Sequence, residues 1–300
     1  MHKVQSLVLL LCVILAACSA PVSPTTSSAS PRASVSPSLS TGASPGAGSS
    51  IESTSTVATQ GSALSVFAAA SLTEVFRAIG QQFDAANGSQ TTFNFAGSQQ
   101  LAQQIVQGAP ADVFASANAA QMRVVLDSGD VISGTQQTFV RNRLVVIHPQ
   151  DNPAGLQTLD DLAKPGVKLV LADKAVPVGQ YALDFLAKAS EDPQRTAAYS
   201  ETVLANVVSY EENVRAVLTK VALGEADAGI VYMSDVAQSA ANDVGRIAIP
   251  DELNTIAAYP IAPIAGAPNA VLAEQFITYV LSPKGQQILS SYGFIPVASP

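Results

Sequence analysis

Cysteine is nearly missing from this 300-residue chain: the only two, Cys12 and Cys18, stand close to its N-terminus. Beyond Cys18 the chain can form no disulfide and offers neither a thiol nucleophile nor a cysteine metal site. Histidine is as scarce, with only His2 and His148. A Ser-His-Asp hydrolase would have to use His148, which lies directly before Pro149 at the end of an apolar run, where a histidine is more often structural. Tryptophan is absent, which argues against an aromatic platform for sugars. Charged residues make up 13%, the net charge is -8, and no basic run occurs, a poor basis for nucleic-acid binding. After residue 62 there is no G-x-S-x-G elbow, and no phosphate-binding glycine motif follows a strand. No His/carboxylate cluster has metal-ligand spacing. Asp160 and Asp161, like Glu211 and Glu212, are sequence neighbours whose side chains diverge, so they read as solvated faces rather than acid/base dyads.

Long apolar runs are also few. Residues 1–17 have a short basic start (His2, Lys3) and an apolar run over 7–17. That is a secretory signal pattern, too short to span a bilayer stably. The run ends in Leu15, Ala16, Ala17 and Cys18, which resembles the bacterial lipobox and implies cleavage before Cys18 and acylation of its thiol. The lipid would then be the only membrane attachment. Residues 18–62 are rich in Ser, Thr, Pro, Ala and Gly, with almost no large apolar side chain. Such a segment buries too little surface to offset its ordering entropy and reads as a disordered tether.

From Ala63 onward the pattern alternates. Strands are expected at 64–69, 91–95, 113–115, 143–147, 167–172 and 228–232. Helices are expected at 72–86, 101–106, 181–189 and 270–281, and Val214, Val217, Leu218 and Val221 form a further helical stripe. Helix 270–281 should stop at Pro283. Alternating strands and helices predict an α/β fold with largely parallel sheets. The folded length suits two lobes better than one.

Four strand-to-helix junctions carry small or hydroxyl residues. They lie around Ala70, Ser71 and Leu72, around Gly97 and Ser98, from Val176 to Tyr181, and around Asn213 and Val214. A helix start presents unpaired N–H groups and the positive end of its dipole, so it can hold an anion. The same residues have a plainer reading. Ser71 with Glu74 makes a capping box, Ser98 an N-cap, and Gly97 and Gly179 turn residues. Tyr232, at the end of a strand, could be an ordinary half-buried tyrosine.

Taken together, the run Ala68, Ala69, Ala70, Ser71, Leu72, the Gly97–Ser98 junction, the stretch Val176 to Ala182, the stretch Glu212 to Arg215, the strand Gly229 to Tyr232 followed by Ser234 and Asp235, and the ending Ser291 to Phe294 resemble the bacterial molybdate-binding proteins, substrate-binding components of ABC importers. The likeness runs over the whole folded part. It implies a two-lobed periplasmic-binding-protein fold, each lobe a mixed, mostly parallel sheet flanked by helices, with a hinge between them. Lobe 1 would be 63–140 plus 256–300, and lobe 2 would be 141–255, with crossings near 138–143 and 255–260. It also implies a tetrahedral oxyanion held only by neutral donors. Ser71 and Ser98 would give hydroxyl and backbone N–H, Val178 and Val214 backbone N–H, and Tyr232 its phenol. Molybdenum would be held only as molybdate, through its oxygens. Val178 departs from the alanine common in that family, which a backbone donor tolerates. Glu211 and Glu212 should face solvent, since carboxylates aimed at a dianion would repel it. The expected ligand is molybdate or tungstate. The expected partner is a membrane permease, and the chain is expected to be a monomer, lipid-anchored outside the cytoplasm, with no cofactor, no nucleic acid and no enzymatic activity. Another tetrahedral oxyanion such as sulfate, or an inert sensor lipoprotein, is the alternative.

Overall fold

The computed structural model describes residues 63–237 and 242–297. The signal segment, Cys12, Cys18 and the tether lie outside the described residues.

The chain begins with β1 (Ala63–Ala69), a 3-10 turn (Ala70–Leu72) and α1 (Thr73–Asn87), followed by β2 (Gln90–Ala96) and α2 (Ser98–Val106). β3 (Val113–Ala115), α3 (Ala119–Asp127) and β4 (Gln137–Asn142) complete the first pass. Side chains of β1 alternate between faces, as a strand requires. Leu64, Val66 and Ala68 enter the main core, while Phe67 enters a smaller cluster with Leu101, Ile105, Phe114, Met122 and Val125 under α2 and α3. α1 forms because Val75, Phe76, Ile79 and Phe83 recur on one face, which is buried. It ends where Gly88 takes φ 62°, a left-handed cap whose N–H reaches Asp84 O.

After Arg143 the chain enters a second sheet through β5 (Leu144–Pro149), β6 (Leu169–Ala172), α4 (Pro177–Glu191), α5 (Tyr199–Ala205) and β7 (Val207–Glu211). It continues through α6 (Val214–Ala222), β8 (Ala228–Tyr232), a 3-10 turn (Met233–Val236) and β9 (Val244–Ala248). It then returns to the first sheet through β10 (Ala257–Pro263), α7 (Ala270–Leu281), α8 (Pro283–Ser291) and β11 (Ile295–Pro296). Strand order is β11-β4-β10-β3-β1-β2 in one sheet and β7-β6-β8-β5-β9 in the other. This is the expected α/β architecture of two lobes.

Three details differ from the sequence reading. β4 keeps Arg141 and Asn142 in the first sheet, so the chain leaves it at Arg143, past the expected 140/141 boundary. Each sheet is mixed, as expected, but neither is mostly parallel. β1 pairs in parallel with β2 and β3, and β6 with β7 and β8, but the strands beside the crossings (β4, β5, β9, β10) pair antiparallel. A strand that enters from the other lobe has no helical crossover to reverse it, so antiparallel pairing follows. Finally, Pro283 does not merely end a helix. It is the first residue of α8, with Ser282 capping through Gly285 N–H.

Candidate functional site

The ends of β1, β2 and β8 and the starts of α2, α4 and α6 meet in one pocket between the two sheets, with free room of about 10 Å³, roughly one water-sized sphere. Pockets for drug-sized ligands run about 300–1,000 Å³, so this one suits a small ion. Its lining includes Ala70, Ser71, Gly97, Ser98, Ala117, Val178, Asn213, Val214 and Tyr232, and no lining residue is charged. All five residues singled out from sequence line it, and each is at most 4% exposed.

The local chemistry of each follows from its element. Val178 is the second residue of α4, whose first is Pro177, and Val214 is the first of α6. At these positions a helix leaves its N–H groups unpaired, and the two dipoles point their positive ends at the pocket. Asn213 caps α6, its Oδ1 accepting from Ala216 N–H at 3.0 Å, which leaves the N–H of Val214 uncapped by that side chain. Ser98 is the first residue of α2 rather than its cap, which is Gly97. Ser98 Oγ accepts from Ala117 N–H at 3.0 Å. That bond does not use the Ser98 hydroxyl proton, which can point elsewhere.

The capping-box reading of Ser71 and Glu74 does not hold. Ser71 lies inside the 3-10 turn, and its Oγ bonds Tyr259 Oη at 3.0 Å. Glu74 instead forms an ion pair with Arg215 of α6, across the cleft. Tyr232 ends β8 with its ring wholly buried, and its hydroxyl has no hydrogen-bond partner. Burial pushes this phenol well above its ordinary pKa, with Tyr259, Tyr181 and Asp235 adding to the shift. The Tyr259 hydroxyl is near enough to contribute, yet no bond of proper geometry joins the two. Tyr232 therefore keeps its proton and can act as a donor. A buried donor left unpaired costs about 1–3 kcal/mol, so an acceptor seated in this pocket removes a penalty.

The lobes touch around the pocket. Gln99 Nε2 donates to Glu212 O at 2.9 Å, Gln100 Nε2 to Glu212 Oε2 at 3.1 Å, and Gln121 Nε2 to Ala175 O at 3.2 Å. Arg215 Nε reaches Ala70 O at 3.4 Å and lies 3.6 Å from Asp235 Oδ1. Glu211 and Glu212 thus do not simply face solvent: Glu211 pairs with Lys220 at 2.6 Å, and Glu212 is held by the opposite lobe. Neither carboxylate lines the pocket. Gly97 is a close-approach residue rather than a turn residue, since a Cβ there would stand 2.6 Å from Glu212 O. His148 Nδ1 lies 2.7 Å from Pro149 O and the ring packs over Gly245. Neither pocket serine is bonded to it, so the hydrolase reading loses its base. Among the described residues no group of three or more His, Cys, Asp or Glu could hold a metal ion.

Tyr259, which bonds Ser71, and Asn142, which reaches Tyr259, were not legible in the sequence. They stand 188 and 71 positions away from Ser71, and only strand pairing within the first sheet brings them together.

Residues 64–295 match the family of bacterial extracellular solute-binding proteins. The chain belongs to that family. It is 39% identical over 238 residues to the molybdate-binding protein ModA of Mycobacterium tuberculosis, covering 79% of this chain and 86% of that one. It is 34% identical over 237 residues to ModA of Escherichia coli, covering 77% and 88%. The periplasmic molybdate-binding protein of Azotobacter vinelandii shares the fold, with a TM-score of 0.67 at 22% identity over 78% of this chain and all of the other. Family members are solute-binding proteins that work outside the cytoplasm, and this chain is one of them.

Proposed function

We propose that this protein captures molybdate, or its near twin tungstate, in the cleft between its lobes and delivers it to the permease of an ABC importer. The observation that carries the reading is the set of neutral donors from both lobes around one small uncharged pocket, with the buried, unpartnered hydroxyl of Tyr232 among them. In this reading Ser71 and Ser98 donate from lobe 1, and Val178 and Val214 donate backbone N–H from lobe 2, with Tyr232 giving its phenol. An oxyanion bridging the two sets stabilises the closed form, because only closure brings them together. The hinge lies at the two crossings, one at Arg143 and one between β9 and β10. Two relatives that share at least 34% of their aligned residues with this chain are named molybdate-binding proteins, which favours molybdate over sulfate. The chain acts as a monomer, tethered by residues 19–62 to a lipid on Cys18 after removal of residues 1–17.

A thermal melt of the purified chain with molybdate, tungstate, sulfate and phosphate in parallel tests this. A ligand at 100 times its Kd adds about 2.7 kcal/mol, which for a domain of this size raises Tm by roughly 5–10 °C. Shifts with molybdate and tungstate alone are expected. A shift with sulfate alone would reassign the ligand, and no shift with any anion would remove the proposal.

A further inference from the structure

Glu212 poses an electrostatic question. It stands directly before Asn213, the cap of α6, and two residues before Val214. A carboxylate therefore sits beside a pocket read as a dianion site, where its charge alone works against the ligand. Its charged neighbours are engaged elsewhere, Glu211 with Lys220 and Arg215 with Glu74. Glu212 is gripped instead from lobe 1, by two amides on one turn of α2. Gln99 Nε2 donates to its backbone O at 2.9 Å, and Gln100 Nε2 donates to its Oε2 at 3.1 Å. Gln100 is itself oriented, because its Oε1 accepts from Gly97 N–H at 3.1 Å. That leaves only its amide hydrogens for the other lobe. Gly97 permits the approach, since a Cβ there would stand 2.6 Å from Glu212 O. The turn of α2 that carries both amides begins at Ser98. Two bonds thus join the donor turn of lobe 1 to the donor turn of lobe 2, outside the pocket.

We propose that Gln99 and Gln100 are positioning residues that clasp Glu212 across the cleft when the lobes close, and so slow the release of a bound oxyanion without touching it. This rests on the functional reading above and adds to it residues that set the release rate. Opening the cleft must break both bonds, because donor and acceptor belong to different lobes. The bonds form only after the ligand has entered, so they act on release and leave association nearly unchanged. They also give the Glu212 carboxylate a use that offsets its repulsion of the ligand.

The clasp and simple repulsion predict opposite signs for Glu212→Ala. If Glu212 acted through its charge alone, removing it would tighten molybdate and slow release. The clasp predicts release about two- to fivefold faster, the worth of one exposed hydrogen bond. Gln100→Glu keeps the acceptor for Gly97 N–H and sets a carboxylate oxygen against Glu212 Oε2, so release should quicken by at least about tenfold. Combining Gln100→Glu with Glu212→Gln exchanges the two groups. The amide at position 212 then donates to the carboxylate at position 100, the number of carboxylates equals that of wild type, and release should return close to the wild-type rate. Stopped-flow displacement of molybdate by excess tungstate, with the full chain and each variant, reads these rates. Release from Glu212→Ala at or below the wild-type rate, or an exchanged pair that does not recover, would overturn the clasp while leaving the functional reading in place. Wild type that binds no molybdate would overturn that reading instead.

Discussion

Tyr232 shows what one side chain can and cannot reveal before folding. Its position at the end of an apolar strand is compatible with any half-buried tyrosine, and only the packed structure shows a hydroxyl with nothing to bond. Tyr232→Phe is expected to weaken molybdate binding by about 1–3 kcal/mol, the cost of an acceptor left unpaired on a buried oxyanion, while ligand-free stability holds or rises. Titration calorimetry together with a ligand-free melt separates the two effects, and unchanged affinity would remove Tyr232 from the site. Ser71 and Glu74 were misleading for a physical reason. Four residues that spell a capping box are local, whereas the partners that claim both side chains, Tyr259 and Arg215, come from strands and helices far along the chain. Gly97 was visible as a glycine but not as a close-approach glycine, because the atom that forbids a side chain belongs to the other lobe.

At the level of elements, periodicity served where a helix or strand is fixed by its own apolar face. Helix α7 runs over 270–281 as its pattern predicts, and β8 over 228–232. It served less well at helix starts. α4 begins at Pro177, four residues before its apolar stripe, because proline suits the first turn. These early turns carry the pocket, so the site lay where pattern is least informative. α1 also shows what a buried face is worth. Phe76 meets the rings of Phe93, Phe139 and Phe276 at 6.2, 5.7 and 5.8 Å between centroids. Phe76→Ala should cost about 3–5 kcal/mol in denaturant unfolding, and a loss under 1 kcal/mol would mean the lobe repacks around the gap. The 3-10 turn after β8 holds Asp235, wholly buried, with Oδ2 accepting from Tyr232 N–H and Oδ1 without a hydrogen bond, 3.6 Å from Arg215 Nε. Burial pushes its carboxyl from 3.8 up to about 6, against the opposing pull of Arg215 and that N–H. A raised folded pKa means the native state binds more protons between those values. Stability from this group is therefore greatest at low pH and falls as pH rises through about 4 to 6. Asp235→Asn should lose this dependence. Relative to wild type it should gain on the order of 2–3 kcal/mol between pH 4 and pH 7, read from urea midpoints at each pH. A constant difference would show that Asp235 does not titrate there.

In the proposed reading the molecule binds by closing, and groups that are not pocket donors also join the two lobes. Arg215 follows Val214 on α6 and crosses to Glu74 on α1 in the other lobe. On its own side it lies near Asp235. Its guanidinium thus has a carboxylate in each lobe, and opening the cleft leaves it with Asp235 alone. The pair is partly exposed, 23% and 34% at the two side chains, so solvent screening limits it to about 0.2–1 kcal/mol. That is small beside the ligand's own bonds, but it acts only on the closed form. Glu74→Gln is therefore expected to speed molybdate release by up to about fivefold, with little change in association, since 1.4 kcal/mol corresponds to a factor of ten. Raising salt should speed release from wild type and leave the variant less affected, because screening can act on the pair only while it exists. Stopped-flow displacement of molybdate by excess tungstate at low and high salt gives both rates. Equal release rates at low salt would mean that the pocket's donors alone hold the lobes together, and that Arg215 serves Asp235 rather than closure.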